Sequence, residues 1–273
     1  MVSDGSVEPE EGRVDEHERT HLGSTFDLDA EGYDEGRPGY PDEVWDLVLG
    51  HLALQPGQRV LEIGPATGQA TARLLDTGAA VHAIEPGAGL TDVLRRKHPS
   101  EHLTIDVSTL ESADLGEQRF DAVAAATSFH WVDPDVGLPI LRRHLVPGAP
   151  LCLWWLVHRD PTVVASDPVD QVVRSATALP NTRGLNGILD DLDLPRRLAD
   201  HGFTEVRSQV HRWRMTLSED ALLALFRSFS DFRKRDAADQ EATLAALSRV
   251  AREHGGTVTR AVMCPILTAR APT

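Results

Sequence analysis

The sequence predicts an α/β fold with a doubly wound, mostly parallel seven-stranded sheet whose last strand is antiparallel. Three observations predict it. Short apolar runs, the first of them β-branched, alternate with helical stripes between residues 59 and 156, a glycine turn directly follows the first run, and two long strand-like runs lie near the C-terminus. Alternation at this spacing indicates βαβ units, whose right-handed crossovers place helices on both faces of a parallel sheet.

The alternating part of the chain begins with a helix and continues through five strands. Apolar residues at helical spacing predict the helix at 41–52, and the glycines, prolines and aromatics of 26–41 predict a loop that packs over the rest. The strands are predicted at 59–63, 80–84, 103–107, 120–125 and 151–156, and the helices between them at 69–76, 90–97 and 136–145. Beyond the less regular stretch 158–202, strands at 203–213 and 257–269 enclose helices at 219–232 and 239–254.

Length and composition predict one domain with an acidic tail. The chain has 273 residues, of which 41% are hydrophobic and 25% charged, as in ordinary globular proteins. Acidic residues crowd the N-terminal stretch. We therefore expect residues 1–22 to form a disordered acidic tail, residues 23–273 to form a single domain, and residues 158–202 to be an insertion on the substrate side.

Charge and hydropathy argue against several kinds of partner. A formal net charge of -15 disfavours nucleic acids and anionic membranes, because both need a basic footprint. No apolar run has the length of a bilayer span and the N-terminus lacks a secretory pattern, so a cytoplasmic protein is expected. Cys152 and Cys264 lie in apolar runs typical of buried thiols, and the sequence predicts no metal site. The oligomeric state is not indicated.

The segment Val60–Gln69, with the sequence VLEIGPATGQ, carries the main indication of function. A hydrophobic strand runs into a glycine turn and a helix follows, which brings a ligand close to the backbone at the helix N-terminus. A dinucleotide fingerprint would require glycines where this chain has Ala66 and Gln69. Glu62, at the end of the strand, instead calls for a cationic partner such as an amino group.

A second acid lies one βα unit later. Glu85 ends the strand that contains the sequence AIEP. A carboxylate at this position accepts hydrogen bonds from the hydroxyls of a ribose. A ribose without a neighbouring phosphate, together with an amino-acid end near Glu62, describes S-adenosylmethionine.

With these motifs the chain resembles the class I S-adenosylmethionine-dependent methyltransferases, which have a Rossmann-like fold, and in particular their type 11 small-molecule branch. The matching segments are YDEGRPGYP (33–41), VLEIGPATGQAT (60–71), AIEP (83–86), RFDAVAAATSFHWVDP (119–134) and HLVPGAPLCLWW (144–155). The chain departs from the family pattern at two positions. Ala66 stands where the middle glycine of the turn is expected, and Ala149 stands where the family has a second glycine after the one at 148. Neither change removes a chemical group that the site requires.

The resemblance and the predicted strand ends together identify a cofactor site. Its expected residues are Tyr33, Arg37, Glu62, Gly64, Ala66, Gly68, Glu85, Thr109, Leu110 and Thr127. The resemblance implies that the segment around Arg37 folds over the pocket and pairs with the cofactor carboxylate, and that Thr109 and Leu110 contact the adenine.

The loop after the fourth strand is expected to face the ligands, since ligands bind at the carboxyl ends of parallel strands. His130 is the candidate general base, and the alternative is a hydrogen-bonded packing residue. Tyr40, Phe129 and Trp131 are expected to shape a pocket for a small-molecule acceptor. Two other functions stay open, an NAD-dependent oxidoreductase and a non-catalytic regulator that binds the cofactor.

Overall fold

The computed structural model describes residues 27, 29–160, 162–163, 167–176 and 193–273. The predicted acidic tail at 1–22 lies outside the described residues. The same is true of residues 161, 164–166 and 177–192 within the predicted substrate-side insertion.

The described residues form one seven-stranded sheet, which confirms the predicted fold class. The strands are β1 (Arg59–Ile63), β2 (Ala80–Ile84), β3 (Leu103–Asp106), β4 (Ala122–Ala126), β5 (Pro150–Trp154), β6 (Thr204–Ser218) and β7 (Thr257–Arg270). Their spatial order is β3-β2-β1-β4-β5-β7-β6. The first five strands pair in parallel, whereas β7 runs antiparallel between β5 and β6. The order reverses at β1, so the crevice for a ligand opens beyond the carboxyl ends of β1 and β4.

The helices lie around this sheet. Those that precede β5 are α1 (Ala30–Gly36), α2 (Asp42–Leu52), α3 (Thr71–Leu75), α4 (Ala88–Lys97) and α5 (Pro134–His144). Those that follow it are α6 (Pro168–Ala176), α7 (Leu194–Asp200), α8 (Glu219–Arg227), α9 (Ser230–Arg233) and α10 (Ala237–Glu253). A 3₁₀ turn at Phe129–Trp131 follows β4.

The structure corrects two of the predicted elements. Part of the segment 26–41 is helical rather than a loop, because the Asp29 side chain accepts a hydrogen bond from the Gly32 N–H and caps α1. The single helix predicted at 219–232 is divided into α8 and α9. The Ser228 hydroxyl donates to the Leu225 carbonyl, and Phe229 then adopts an extended conformation that ends the first helix.

Alternate residues of the central strands divide the core into two layers. Leu61, Val123 and Leu151 pack on one face of the sheet, and Val60 and Trp154 pack on the other. A third apolar cluster joins α6, α8 and α10 to the ends of β6 and β7. This third cluster lies beside the ligand crevice and therefore helps to enclose it.

Within the part of the chain that the structure describes, no helix combines the length and the hydropathy that a bilayer crossing requires.

Candidate active site

A cavity of about 820 Å³ opens at the carboxyl ends of the parallel strands. Its walls come from the ends of β1, β2 and β4, from the segment 27–40, and from α6, α8 and α9. The volume lies near the upper end of the range of about 300–1,000 Å³ that is typical of small-molecule sites. The end near β1 and β2 is called the strand end below, and the end near residues 156–159 and Phe226–Phe232 is called the helix end.

The turn after β1 has positive φ at every second residue. The φ angles are 63° at Gly64, 50° at Ala66 and 98° at Gly68. A Cβ on Gly64 would lie 2.5 Å from the Cβ of Ser128, so glycine permits the close approach of the loop after β4. Gly68 does not border the cavity, and a Cβ there would lie 2.6 Å from atoms of Leu94 on α4. Its glycine therefore serves helix packing rather than ligand contact.

Two buried carboxylates line the strand end of the cavity. Thr71 Oγ1 donates to Glu62 Oε2 over 2.7 Å, and Glu62 Oε1 is buried with no hydrogen-bond partner among the described residues. Glu85 accepts hydrogen bonds from the Ala66 N–H at 3.0 Å and the Gly87 N–H at 2.9 Å. Burial raises the pKa of Glu62 to about 8 and that of Glu85 to about 7. A cationic ligand would stabilise both carboxylates in their charged form.

Asp27 is a residue of this site that the sequence did not reveal. Its Oδ1 accepts hydrogen bonds from the N–H groups of Gly89 and Leu90 at the start of α4, and its side chain borders the cavity beside Glu85. The contact joins residues about 60 positions apart in the chain. No local motif signals such a contact.

His130 borders the cavity and is held by an indole. Its Nδ1 accepts a hydrogen bond from Trp155 Nε1 over 3.2 Å, and its ring lies 4.6 Å from the ring of Trp131. Burial, with a smaller effect of Arg37, lowers its pKa to about 4. Because an indole nitrogen only donates, the neutral imidazole carries its proton on Nε2. In this tautomer His130 offers a ligand a hydrogen-bond donor and not a base.

Thr127 and Tyr40 line the cavity and are hydrogen-bonded to each other. The Tyr40 hydroxyl lies 2.8 Å from Thr127 Oγ1, which also accepts the Leu156 N–H at 3.0 Å. The Tyr40 ring makes edge contacts with Trp45 and Trp154, at centroid distances of 5.7 and 6.1 Å. Burial raises the pKa of Tyr40 well above its usual value. Tyr40 therefore keeps a neutral hydroxyl in the wall of the cavity.

Arg37 lies between two aromatic rings at the mouth of the cavity. Its guanidinium is 4.9 Å from the Tyr33 ring centroid and 5.1 Å from that of Phe229, and Nη2 donates to the Ser228 carbonyl over 3.0 Å. These contacts hold Arg37, at the end of α1, against the junction of α8 and α9. Both Tyr33 and Arg37 border the cavity, as the sequence predicted for this segment.

The remaining expected residues divide into two groups. Thr109, Leu110 and Trp131 border the cavity. Phe129 does not, because it is fully buried in the core beneath the loop. No individual residue of the helix end was predicted from the sequence, although the predicted substrate-side insertion 158–202 contains two of them. The helix end includes His158, Asp170, Phe226, Phe229, Phe232 and Arg260. The aromatic spacing of the run FRSFSDF at 226–232 is the one signal that marks it.

Comparison with known proteins gives concordant results. Residues 61–153 match a family model described as a methyltransferase domain. An uncharacterized methyltransferase of Mycobacterium tuberculosis is 31% identical over 214 residues, which cover 78% of this chain and 79% of the relative.

Two solved structures share the fold. A protein of Anaeromyxobacter dehalogenans assigned to the type II methyltransferases superposes with a TM-score of 0.61 and 24% identity, covering 86% of this chain and 98% of that one. Phosphoethanolamine N-methyltransferase 2 of Haemonchus contortus, solved with S-adenosylhomocysteine, gives 0.54 and 14%, covering 96% of this chain and 61% of that one.

Proposed function

The chain belongs to the class I S-adenosylmethionine-dependent methyltransferases, and on that premise we propose that it binds S-adenosylmethionine at the strand end of its cavity and methylates a small molecule held at the helix end. S-adenosylmethionine supplies a methyl group already activated on a sulfonium. The chain itself has to align an acceptor with that group and exclude water.

The observation that carries this proposal is the pair of buried carboxylates. Glu62 Oε1 has no hydrogen-bond partner among the described residues, and the pKa values of Glu62 and Glu85 are both raised by burial. A ligand with cationic groups and a ribose fits this pair. Glu62 is suited to a positively charged group of the ligand. Glu85 accepts two backbone hydrogen bonds and has lone pairs left to accept hydrogen bonds from the ribose hydroxyls.

Other residues of the cavity wall support the same placement of the cofactor. In this proposal Thr109 and Leu110 contact the adenine, Gly64 and Ala66 let the backbone approach the methionine part, and Arg37 pairs with its carboxylate. In the same proposal Thr127, which is held by Tyr40 and the Leu156 N–H, contacts the cofactor. The aromatic side chains that line the helix end support a small-molecule acceptor.

Isothermal calorimetry with S-adenosylhomocysteine tests the cofactor site. Removal of the charged acceptor in Glu85→Ala should weaken binding by about 1.5–3 kcal/mol for each hydrogen bond lost, and Glu85→Gln should bind with intermediate affinity. Glu117→Ala is the matched control, since Glu117 is exposed and does not border the cavity. Equal affinities in all four proteins would place the ribose elsewhere.

Two assays on the wild-type protein distinguish the competing functions. A rise in melting temperature with S-adenosylhomocysteine but not with NAD argues against an oxidoreductase. Formation of S-adenosylhomocysteine from S-adenosylmethionine in the presence of a metabolite extract separates an enzyme from a non-catalytic binder.

A further inference from the structure

We propose that the acceptor is a carboxylic acid, that His158 at the helix end binds its carboxylate by donating a hydrogen bond, and that the product is a methyl ester. This inference rests on the proposed methyl transfer and adds the acceptor class and the residue that recognises it. Four observations lead to it.

The first observation is the state of His158. Both ring nitrogens are buried and neither has a hydrogen-bond partner among the described residues, although the residue borders the cavity. Its backbone position is fixed, because neighbouring Val157 exchanges two hydrogen bonds with Met263 on β7, at 2.9 and 3.1 Å. Its ring lies 5.2 Å from that of Phe229. A buried imidazole that no described residue engages is suited to a polar group of a ligand.

The second observation is the charge around His158. Burial lowers the pKa of His158 well below its usual value, and the charges of Arg37 and Arg260 act in the same direction. Arg260 is itself held by Asp167 at 2.8 Å and by Asp170 at 2.9 Å, so its position is fixed. His158 is therefore neutral and donates one N–H. A carboxylate placed there accepts this hydrogen bond with one of its oxygens.

The third observation is that the histidines of the wall are poorly suited to remove a proton. Nδ1 of His130 is occupied by Trp155, which leaves Nε2 as a donor. A proton on His158 is disfavoured by burial and, to a smaller extent, by the charges of Arg37 and Arg260. A phenol, with a pKa near about 10, needs a base at neutral pH, whereas a carboxylic acid with a pKa near about 4 is already ionised.

The fourth observation is the apolar lining beside these groups. Phe226 and Phe232 are almost fully buried, and with Phe229 and Val173 they border the helix end. This surface suits a small hydrocarbon skeleton, while His158 and His130 supply the polar contacts at one end of it.

The reaction of such an acceptor balances without any proton transfer. One carboxylate oxygen uses a lone pair to form a bond to the methyl carbon. The methyl–sulfur bond breaks and its electron pair remains on sulfur. The anionic acid becomes a neutral ester, the sulfonium becomes the neutral thioether of S-adenosylhomocysteine, and no proton is released.

Base lability of the transferred methyl group tests the acceptor class. The full chain is incubated with methyl-tritiated S-adenosylmethionine and a panel of small aliphatic and aromatic carboxylic acids, each matched by an alcohol, a phenol or a primary amine on the same skeleton. Alkali releases volatile labelled methanol from an ester, but not from an ether or a methylamine. We expect volatile label with the acids alone, and no acidification of a weakly buffered reaction.

Variants of His158 test the residue. His158→Phe keeps a ring but removes the donor, so KM for the acid should rise about tenfold or more, while the affinity for S-adenosylhomocysteine measured by calorimetry stays the same. His158→Gln, which restores an N–H donor, should recover part of the loss. His211→Phe is the matched control, because His211 lies on β6 against Trp213 and does not border the cavity.

The outcomes separate this inference from the proposed function. Base-stable label on any acceptor overturns the carboxylate inference and leaves methyl transfer standing. If the acids are neither methylated nor raise the melting temperature of the S-adenosylhomocysteine complex, the inference is also wrong. Failure of the protein to bind S-adenosylhomocysteine contradicts the proposed function itself.

Discussion

Ala66 occupies a backbone conformation that glycine enters more readily than alanine. Its φ of 50° lies in the left-handed region, and its N–H donates to Glu85 Oε2 over 3.0 Å. The left-handed conformation costs an L-residue about 1–2 kcal/mol. The chain tolerates that cost at the point where the turn must direct an N–H toward Glu85. The strained conformation of Ala66 therefore helps to position a carboxylate of the site.

Substitutions at Ala66 should follow from this conformation. Ala66→Gly removes the strain but adds about 0.4–1 kcal/mol of unfolded-state entropy, so the free energy of unfolding should stay equal or rise by up to about 1.6 kcal/mol. Ala66→Val places a β-branched residue in the left-handed region and should lower it by more than about 1 kcal/mol. Urea denaturation measures both.

The control for this pair is Ala72→Gly. Ala72 lies in the helix α3, where the same substitution should destabilise by about 0.5–1 kcal/mol. Equal destabilisation by Ala66→Gly and Ala72→Gly would mean that residue 66 is unstrained in solution.

At this scale the sequence indicated the residues whose chemistry is unusual for their position. Glu62 and Glu85 were predictable because a charged side chain at the end of a hydrophobic strand needs a partner. Asp27 and His158 were not, since their roles depend on contacts with residues about 60 and 70 or more positions away, respectively. Phe129 was assigned to the pocket from its neighbours, but the 3₁₀ turn directs it into the core.

At the scale of elements, α1 closes the cavity by packing on α8 and pairing with α4. Gly36 lies so close to α8 that a Cβ on it would be 2.5 Å from the Ala224 carbonyl oxygen. Ion pairs join α1 to α4, through Lys97 and Asp34 at 2.6 Å and through Arg96 and Glu31. These exposed pairs contribute little individually. The fit of Gly36 therefore decides how well α1 is seated.

Gly36→Ala should separate α1 from α8. We expect a lower melting temperature and weaker binding of S-adenosylhomocysteine, because Tyr33 and Arg37 on this segment border the cavity. Gly50→Ala in α2 is the matched control, with open space around its Cβ, and should raise stability by about 0.5–1 kcal/mol. If Gly36→Ala behaves like Gly50→Ala, α1 does not depend on this contact.

The sequence predicted the sheet better than the elements around the cavity. Strand positions follow from short apolar runs that are buried on both faces, so their signal is local. The helix α1 was missed because its sequence, AEGYDEG, contains two glycines, and its stability comes from the Asp29 cap and from α8. Tertiary packing, rather than propensity, decides such short helices.

On the scale of the whole molecule, one cavity draws together segments from both ends of the chain. Asp27 and Arg260 border the same space, and the carboxylates at its strand end contrast with the ion pair of Arg260 and Asp170 at its helix end. The sequence predicted the strand-end carboxylates from strand–turn–helix logic. The helix end follows from the way α6, α8 and α9 pack across the sheet, which no local pattern records.

The buried titratable groups of this cavity predict how stability depends on pH. The pKa values of Glu62 and Glu85 are raised to about 8 and 7, so their contribution to stability is present below their unfolded-state pKa of about 4.5 and is lost as pH rises through about 7–8. His130, with its pKa lowered to about 4, acts in the opposite sense. Its contribution is present above about pH 6.5 and is lost as pH falls toward 4.

The variant Glu62→Gln isolates the carboxylate part of this dependence. Relative to the variant, the wild type should lose stability between about pH 5 and 8, with a slope of at most about 1.4 kcal/mol per pH unit. Saturating S-adenosylmethionine should reverse that loss, because its positive charge favours the ionised carboxylate. The stabilisation by the ligand should therefore grow with pH in the wild type and much less in the variant. Urea titrations with and without the ligand at several pH values measure both effects, with exposed Glu117→Gln as the control. A pH-independent difference between wild type and Glu62→Gln would show that Glu62 is already ionised and stabilised in the free protein.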